Sequence, residues 1–256
     1  MSARLKDEAV DFIKTYFDKN ALPATKAVIG ISGGKDSAVV AALCCAALGK
    51  ERVIGVMMPN GIQKDIADSE RVCSFLGIKN YTVNIEGAYN ALSGEVRSAI
   101  KADDMPAQFT TNVPARLRMA TLYGVAAVIG DARVSCNGNL SERLAGFFTL
   151  WGDGAGDFAP LAYLFVDEVI QLGIELGLPE EMVRKAPSDG MCGMTDEEKL
   201  GFAYKDLQAV ASGRAEKTAA GKSSEIESRI EAMAWKRRLL KIPSFVPSFK
   251  NPSDWD

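Results

Sequence analysis

A short segment with two glycines, two serines and one acid is the clearest candidate for chemistry in this sequence. Residues 30–37 read Gly-Ile-Ser-Gly-Gly-Lys-Asp-Ser and follow an apolar run that is typical of a strand. Paired glycines let the backbone turn tightly and approach a ligand without a Cβ atom in the way. The Ala-rich stretch that follows predicts a helix, whose unpaired N–H groups would point at an anion. The segment therefore predicts a phosphate-binding loop.

Asp36 distinguishes this loop from the common nucleotide-binding loops. A Walker loop needs Gly-Lys followed directly by Ser or Thr, and the dinucleotide fingerprint needs Gly-x-Gly-x-x-Gly; residues 30–37 contain neither. A carboxylate inside a phosphate loop repels phosphate unless a divalent cation lies between them. Asp36 is therefore expected to hold a metal ion. The alternative is a turn in which Asp36 only caps the following helix.

The amino-acid composition narrows the possible chemistry further. The 256-residue chain contains no histidine, and its five cysteines show no Cys-x-x-Cys spacing. These facts exclude a Cys/His zinc site and Ser-His-Asp catalysis, and leave carboxylates, Lys, Arg and backbone amides. With a net charge of -3 and no long basic block, nonspecific nucleic-acid binding is not expected.

Two features of the sequence bear on where the protein resides. The sequence has no apolar run near twenty residues, so no membrane span is predicted. Cys44 and Cys45 lie in an Ala-rich helical stretch and are most simply small core residues in a reducing compartment. We therefore expect a cytoplasmic location.

Apolar periodicity predicts strands that alternate with helices through the first half of the chain. The predicted strands cover 26–32, 53–58, 81–85 and 133–136. The predicted helices cover 4–19, 36–48, 64–76, 86–101, 115–129, 167–176, 196–211 and 223–240. This alternation predicts an α/β fold with a doubly wound parallel sheet, helices on both faces and a crevice at the carboxyl ends of the strands. No linker is visible, so a single domain over 1–256 is expected, with a loop at 213–224 and an extended tail from about Pro243.

The loop sequence resembles the pyrophosphate loop of the N-type ATP pyrophosphatases, which cleave ATP to AMP and pyrophosphate. Further segments resemble, in order, those of the NAD synthetases; they lie at 59–65, 112–119, 137–142, 146–157 and 186–190. The resemblance spans about residues 25–240. It implies a Rossmann-like adenine nucleotide α-hydrolase fold and a ligase that amidates deamido-NAD with ammonia through an adenylylated intermediate. It also implies ATP as co-substrate, Mg²⁺ and a homodimer.

Carried onto this sequence, the resemblance implies roles for three sets of residues. The residues implied to bind ATP are Gly30, Ile31, Ser32, Gly33, Gly34, Lys35, Asp36, Ser37, Gln63, Asn137 and Ser188. Four of these are also the catalytic candidates: Ser32, Lys35, Asp36 and Ser37. The set implied to contact deamido-NAD is Arg116, Asp153, Asp157, Trp235 and Lys236. The implied metal ligands are Asp36 and Glu142.

Two of these roles have competing interpretations in the sequence itself. The spacing of Asn139 and Glu142 also fits a capping box at the start of a helix. Arg116 and Arg118 are two positions apart, about 200° around a helix, so only one can face a given site, and the resemblance favours Arg116. Free ammonia is the expected nitrogen donor because the chain leaves no room for a glutaminase domain.

The sequence also departs from the pattern of the family it resembles. Leu150 and Val166 stand where the family has lysines, Asn137 stands for a Thr, Trp235 for a His and Met57 for an Arg. These changes remove cationic contacts to phosphate, for which Lys35, Lys236 or Arg237 are candidate replacements. Two alternatives stay open: an amide-forming ATP pyrophosphatase for another carboxylate, and a non-catalytic nucleotide-binding paralogue. A lid at 213–224 or 103–114 is expected to exclude water.

Overall fold

Strands and helices alternate along the first half of the chain in the computed structural model, which describes residues 2–63, 65–184, 196–218 and 221–255. The elements of this half are α1 (Ser2–Asn20), β1 (Lys26–Gly30), α2 (Lys35–Leu48), β2 (Val53–Met57), α3 (Ile66–Leu76), β3 (Lys79–Thr82), α4 (Glu86–Ile100), α5 (Ala107–Ile129), β4 (Ala132–Val134) and α6 (Leu140–Ala145). The elements of the second half are α7 (Val166–Glu175), α8 (Glu180–Val183), α9 (Asp196–Leu200), α10 (Tyr204–Ala211), α11 (Lys222–Ala232) and α12 (Ala234–Arg238).

The four strands form a parallel sheet in the order β3-β2-β1-β4. The chain moves outward from β1 to β2 and β3, and then crosses back to place β4 on the other side of β1. The strand order therefore reverses between β1 and β4. Ligands of open α/β sheets bind beyond the carboxyl ends of the strands at such a switch point. The segments that follow β1 and β4 are residues 31–37 and 135–142.

Both faces of the sheet are covered by helices. Ile29 of β1 points to a buried cluster with side chains of α1, α2 and α7, including Ile13, Leu43 and Leu172. Val28, the preceding residue, belongs to a second cluster on the other face, which includes Leu122 of α5. Successive side chains of a strand point to opposite faces, so β1 is buried on both sides. The prediction of a doubly wound parallel sheet is confirmed.

The second half of the chain packs around α6 and along α1. Leu144 of α6 lies in a buried cluster with Leu207 of α10 and Ile226 of α11. The tail forms an isolated parallel bridge between Ser244 and Ala159, and its other residues are largely irregular up to a short 3₁₀ turn, Pro252–Asp254. These contacts hold α6, and with it the exit from β4, between the sheet and the C-terminal helices.

The predicted strand at 81–85 is displaced in the structure. The observed strand β3 covers Lys79–Thr82, and all four of its residues are exposed, because it is the edge of the sheet and pairs only with β2. Val83 and Ile85 gave the apolar signal, and both pack into the core beyond the end of the strand, where Ile85 precedes α4. An exposed edge strand has no apolar alternation, so its boundaries could not be found from hydrophobicity.

Two long predicted helices are also corrected. The helix predicted at 196–211 is two helices separated at Gly201, whose φ is 79°, a left-handed conformation that interrupts the helix. The helix predicted at 223–240 is likewise divided, between α11 and α12 at Met233.

The two predicted lid segments contain helix. The segment 103–114 includes the first turns of α5, which begins at Ala107 and accommodates Pro114 within the helix. The segment 213–224 contains a 3₁₀ turn, Ala215–Lys217, and the start of α11. In the described part of the chain, no helix combines the length and the apolar composition needed to cross a bilayer.

Candidate active site

The loop between β1 and α2 is shaped by its two serine hydroxyls. Ser37 donates from Oγ to the carbonyl oxygen of Gly34 at 3.0 Å, and it accepts the N–H of Ser32 at 3.3 Å. The N–H of Gly34 donates to Ser32 Oγ at 3.3 Å. Ser37 is buried and Ser32 is exposed. Ser37 therefore supports the loop from inside, while Ser32 lies where a ligand can reach its hydroxyl.

Gly33 lets this loop lie directly against helix α3. Its φ is 78°, and a Cβ atom at this position would lie 2.9 Å from Cβ of Asp68 and 3.0 Å from the backbone nitrogen of Ser69. A side chain would therefore be strained and would also overlap α3. At Gly34, among the described residues, no side chain caps the N-terminus of α2. The first amides of α2 are thus presented to an anion.

Lys35 and Asp36 form an ion pair at the start of α2. Lys35 Nζ lies 2.9 Å from Asp36 Oδ2, with the Lys35 side chain 4% exposed and the Asp36 side chain 18% exposed. The ammonium group lies against the neighbouring carboxylate in a buried position and does not extend into solvent. The pair fixes the orientation of Asp36 while part of its carboxylate stays accessible.

Asn137 connects the exit of β4 to the end of β1. Its Nδ2 donates to the carbonyl oxygen of Gly30 at 2.9 Å, and its Oδ1 accepts from Ser135 Oγ at 2.7 Å. The side-chain amide spans the switch point between the two strands. Asn137 was predicted to contact ATP. In the structure it lies at the carboxyl ends of β1 and β4, and its amide joins the two strand ends.

Asn139 brings the two predicted metal ligands into one hydrogen-bond chain. Its Nδ2 donates to Asp36 Oδ1 at 3.0 Å. Its Oδ1 accepts the N–H of Glu142 at 3.1 Å, and its own N–H donates to Glu142 Oε2 at 3.0 Å. The last two bonds are the capping box at the N-terminus of α6. The capping role that was the alternative interpretation of Glu142 is thus observed. Through Asn139, the same contacts link Glu142 to Asp36 of the phosphate loop.

The donor atoms at this crevice suit a magnesium ion bound together with nucleotide phosphates. Among the described residues, no group of three or more His, Cys, Asp and Glu side chains forms a self-contained metal site. Mg²⁺ is usually bound by one or two carboxylates plus substrate phosphates and water. Asp36 and Glu142 are both partly accessible, and their oxygens are the hard ligands that Mg²⁺ prefers. The residues present therefore fit the ion.

The glycines of the segment at 146–157 pack closely against neighbouring parts of the chain. A Cβ atom at Gly152 would lie 3.0 Å from Ala115 of α5, and one at Gly156 would lie 2.6 Å from the backbone nitrogen of Cys136. Thr149 is buried within the segment, and its Oγ1 donates to Asn112 Oδ1 at 2.9 Å. The segment therefore joins α5 to the exit of β4, next to the phosphate loop.

Asp153 belongs to the same segment. The residue is exposed, yet burial of its carboxyl group by surrounding protein raises its pKa, against hydrogen bonds from backbone N–H groups and the charge of Lys236, which lower it. The Thr149 N–H donates to Asp153 Oδ1 at 3.0 Å. Accessibility combined with dense surroundings is typical of a group inside a cleft. Asp153 is therefore positioned to face a bound molecule.

Lys236 reaches the same cleft from helix α12. Its ammonium donates to the carbonyl oxygen of Gly146 at 2.7 Å and to that of Phe148. Burial of the ammonium lowers its pKa; Asp153 opposes this effect, and the nearby Arg229 and Arg116 add to it. Lys236, Arg229 and Arg116 thus form a positive cluster, and Arg116 Nε donates to the carbonyl oxygen of Leu150 at 3.2 Å.

The two arginines of α5 have different surroundings, as their spacing requires. Arg118 is partly buried and donates from Nε to the carbonyl oxygen of Met58, just beyond β2, at 3.0 Å. Burial lowers the pKa of its guanidinium, and Asp153 opposes the effect. Arg116 is exposed. Arg118 therefore anchors α5 to the sheet, and Arg116 is the one whose side chain is open to a ligand.

The remaining predicted substrate contacts, Asp157 and Trp235, have different surroundings. Both carboxylate oxygens of Asp157 accept hydrogen bonds within the protein, from Tyr123 Oη at 3.0 Å and from the Val134 N–H at 2.7 Å. Asp157 thus ties α5 to β4. Trp235 is 55% exposed beside Lys236.

Two predicted ATP contacts lie elsewhere on the chain. Gln63 donates from Nε2 to Asp65 Oδ1 at 2.9 Å, just before α3. Ser188 lies outside the described residues.

Comparison with known proteins identifies the family to which these features belong. The sequence matches the family model for NAD synthase over residues 5–239. The NH(3)-dependent NAD(+) synthetase of Pyrococcus furiosus is 40% identical over 199 residues, which cover 77% of this chain and 73% of the relative. The chain belongs to the NAD synthase family. Membership makes it a ligase, and the predicted family resemblance is confirmed.

Solved structures of NAD synthase-like proteins show the same fold. An NMN synthetase from Francisella tularensis superposes with a TM-score of 0.82 at 30% identity, and covers 97% of this chain and 99% of the other. An NH3-dependent NAD synthetase from Campylobacter jejuni gives a TM-score of 0.75 at 27% identity, covering 94% and 99% respectively. An NMN synthetase and an NAD synthetase of known structure therefore both match this chain over nearly its whole length.

Sequence reasoning did not identify several residues that build the site of this family member. Asn139 appeared only as part of a capping box, and its bond to Asp36 carries no sequence signal because it joins residues 103 positions apart. Arg229 donates from Nε to the carbonyl oxygen of Ala145 at 2.7 Å and adds to the positive cluster near Lys236. Arg237, a candidate replacement for the missing lysines, is buried and donates to the Leu144 and Ile230 carbonyl oxygens, so its contacts are structural.

Proposed function

We propose that the protein forms the carboxamide of a nicotinate nucleotide from ammonia and ATP, with release of AMP and pyrophosphate. The observation that carries the proposal is the phosphate loop with Asp36 tied to Glu142 through Asn139, in a chain of the NAD synthase family. An ordinary phosphate loop would not place two carboxylates beside bound phosphate. A site for phosphates bound with a cation explains them.

The phosphate loop is proposed to bind the pyrophosphate part of ATP. Its backbone from Gly30 to Gly34, the hydroxyls of Ser32 and Ser37, and the N-terminal amides of α2 supply hydrogen bonds that favour an anion. Lys35 is proposed to act through Asp36, whose carboxylate it orients. Ile31, Gln63, Asn137 and Ser188 complete the proposed ATP site.

Asp36 and Glu142 are proposed to hold Mg²⁺. When bound, the ion would neutralise charge that develops on the leaving pyrophosphate, which is the main contribution a metal makes to such a reaction. The protein residues supply position: the loop amides hold the phosphates in line with an attacking carboxylate. No protein nucleophile is needed, which agrees with a chain that has no histidine.

The cleft around Asp153 is proposed to bind the nucleotide that carries the reacting carboxylate. Arg116 and Lys236 supply positive charge for its phosphates, and the exposed indole of Trp235 supplies a surface for a ring. Asp157 is proposed to hold α5 against β4, in addition to its predicted contact with the nucleotide. The nicotinate carboxylate would attack the α-phosphorus of ATP, and ammonia would then displace AMP from the adenylylated carboxyl group.

Two carboxylate substrates fit the comparisons, and each has a specific observation in its favour. The curated relatives named NH(3)-dependent NAD(+) synthetase favour deamido-NAD. The structure of an NMN synthetase, which matches 97% of this chain, favours the corresponding mononucleotide, nicotinate mononucleotide. The dinucleotide needs an additional adenosine site beyond Arg116, so the two substrates test different parts of the surface.

The experiment that decides between them compares both substrates under the same conditions. The protein is incubated with ATP, Mg²⁺, ammonium and either deamido-NAD or nicotinate mononucleotide, and kcat/KM is measured for each amide product. A preference of about 100-fold or more for deamido-NAD supports the first assignment, and the reverse preference supports the second. ATP binding without product from either would favour a non-catalytic paralogue and contradict the proposal.

The remaining proposals concern the setting of the enzyme. We propose a cytoplasmic homodimer that acts as one domain over residues 1–256 and binds no nucleic acid. The free cysteines Cys44, Cys45, Cys73 and Cys136 support a reducing compartment. Exposed apolar side chains on α4 and α5, including Ile100 and Val128, support a contact between two copies. Light scattering of the purified protein measures the oligomeric state directly.

A further inference from the structure

Asn139 makes more hydrogen bonds than its capping position requires. The residue is completely buried. Capping of α6 uses its Oδ1 and its backbone N–H, both toward Glu142. The Nδ2 group takes no part in the cap and donates to Asp36 Oδ1 at 3.0 Å, in a different part of the fold. One side chain therefore contacts both carboxylate residues of the candidate metal site.

A helix cap alone does not explain this choice of residue. Ser, Asp and Asn cap helices about equally well. Only Asn, however, can accept from the helix with one side-chain atom and donate to a neighbouring carboxylate with another. Ser would cap α6 but is too short to reach Asp36 in the same geometry. Asp would cap α6 but would face Asp36 with a second negative charge.

Asp36 is held from both sides. Its Oδ1 accepts from Asn139 and its Oδ2 accepts from Lys35 Nζ at 2.9 Å. Two bonds of known direction set the plane of the carboxylate group. Glu142 is oriented in turn by the capping box. The carboxylates are therefore arranged before any ligand arrives, so that little reorganisation is needed when a cation binds.

We infer that Asn139 is a positioning residue for the divalent cation that accompanies ATP, and that it acts by fixing Asp36 relative to Glu142. The inference rests on the proposed function for the role of the cation in the reaction. It assigns Asn139 itself no contact with the cation or with substrate, because the side chain is completely buried and bonded to protein groups. Its effect is expected on cation affinity, with fold stability largely unchanged when another capping residue replaces it.

The test separates the cap from the link to Asp36. Asn139→Ser and Asn139→Thr keep a capping oxygen for α6 and remove the donor to Asp36. Asn251→Ala is the matched control: it removes an asparagine that caps the 3₁₀ turn Pro252–Asp254 by accepting from the Ser253 N–H, outside the crevice. The full chain is titrated with Mn²⁺ in the presence of a non-cleavable ATP analogue, and bound Mn²⁺ is measured by electron paramagnetic resonance.

Loss of a hydrogen-bond partner of a metal ligand typically weakens metal affinity by about 10- to 100-fold, and we expect that range for Asn139→Ser and Asn139→Thr. Asn251→Ala should bind Mn²⁺ as the wild type does. In an Asp36→Asn background, Asn139→Ser should cause no further loss, because the residue acts through Asp36. Wild-type Mn²⁺ affinity in both folded capping variants, or an equal additional loss in the Asp36→Asn background, would overturn the inference.

The same variants distinguish this inference from the proposed reaction. Mn²⁺ binding with the ATP analogue needs no nicotinate substrate and no turnover. A wild-type protein that binds Mn²⁺ tightly, loses it in Asn139→Ser and yet forms no amide would support the role of Asn139 and contradict the proposed function. If amide is formed, saturating Mg²⁺ should restore kcat in Asn139→Ser, as expected for a residue that positions the ion.

Discussion

The ammonium group of Lys236 lies 4.1 Å from the centroid of the Phe148 ring, and it also donates to the carbonyl oxygens of Gly146 and Phe148. Helix α12 is thereby attached to the residues that precede the Gly-Asp-Gly segment at 152–154. A cation over an aromatic face and bonded to two carbonyl oxygens is fixed in position. Lys236 thus connects the C-terminal helices to the cleft around Asp153.

Replacement of Lys236 by methionine tests this connection. Lys236→Met keeps an unbranched apolar side chain but leaves the two carbonyl oxygens without their donor, so the free energy of unfolding should fall by about 1–3 kcal/mol. The catalytic efficiency should also fall by about 10-fold or more, because a charge near the nucleotide is lost. Urea unfolding and steady-state kinetics measure the two effects. Lys241→Met, at an exposed position, is the control; identical behaviour of the two variants would exclude a specific role for Lys236.

Two glycines with similar positive φ values allow strain and overlap to be separated. Gly33 and Gly49 have φ values of 78° and 83°, but only Gly33 has neighbours in the way of a Cβ atom, from Asp68 and Ser69. Gly49→Ala should cost about 1–3 kcal/mol of stability from the positive φ alone. Gly33→Ala should cost about 1–3 kcal/mol more and weaken ATP binding, because the loop must move away from α3. Urea unfolding and calorimetric ATP titration provide the measurements, and equal effects of the two substitutions would contradict the close packing.

Asp153 should make stability depend on pH. Its pKa is raised by burial, so between its unfolded and folded pKa values the native state binds more protons than the unfolded state. The stability that Asp153 contributes is therefore present in acid and lost as the pH rises through the folded pKa. Asp153→Asn should remove this loss, so the variant should melt above the wild type at pH 7–8 and close to it in acid, while activity falls. Thermal melting from pH 4.5 to 8 tests the sign, and a constant difference across this range would contradict it.

Asp36 provides the sharpest test between an enzyme and a non-catalytic nucleotide-binding protein. Asp36→Asn is nearly isosteric and keeps an oxygen that Lys35 can donate to, but it removes the negative charge that would hold a cation. Turnover should fall by about 100-fold or more, as is typical when electrostatic stabilisation of a leaving group is lost. Product formation and calorimetric ATP binding are measured, with Asp18→Asn at an exposed position on α1 as control. Unchanged turnover in Asp36→Asn would rule out the proposed role.

The parts of this fold that could be predicted from the sequence are those in which a local pattern and the tertiary structure agree. β1 and β2 are buried on both faces and read as short apolar runs, and Gly49 and Gly77 follow the last residues of α2 and α3 as expected helix stops. The exposed edge strand β3 lacks such a pattern. The helix break at Met233 accompanies close packing of this residue against Gly146 at the end of α6, which the sequence does not reveal.

The same distinction holds for the candidate site. Residues 30–37 form a contiguous loop whose composition indicates phosphate binding, so it could be recognised without a structure. Contacts between distant segments could not: the bond from Asn139 to Asp36, the anchoring of Arg118 on the Met58 carbonyl oxygen and the approach of Lys236 to Phe148 each join separate elements. Asp157 shows the same limit, because its use in holding α5 to β4 depends on both carboxylate oxygens being engaged.

The most direct test of the account is the stoichiometry of the reaction with labelled ammonia. The wild-type protein is incubated with ATP, Mg²⁺, ¹⁵N-ammonium and, in separate reactions, deamido-NAD and nicotinate mononucleotide. The proposed reaction predicts that AMP, pyrophosphate and an amide bearing ¹⁵N accumulate in equal amounts with at least one of the two substrates. Formation of ADP and inorganic phosphate, or binding of ATP with no amide from either substrate, would contradict it.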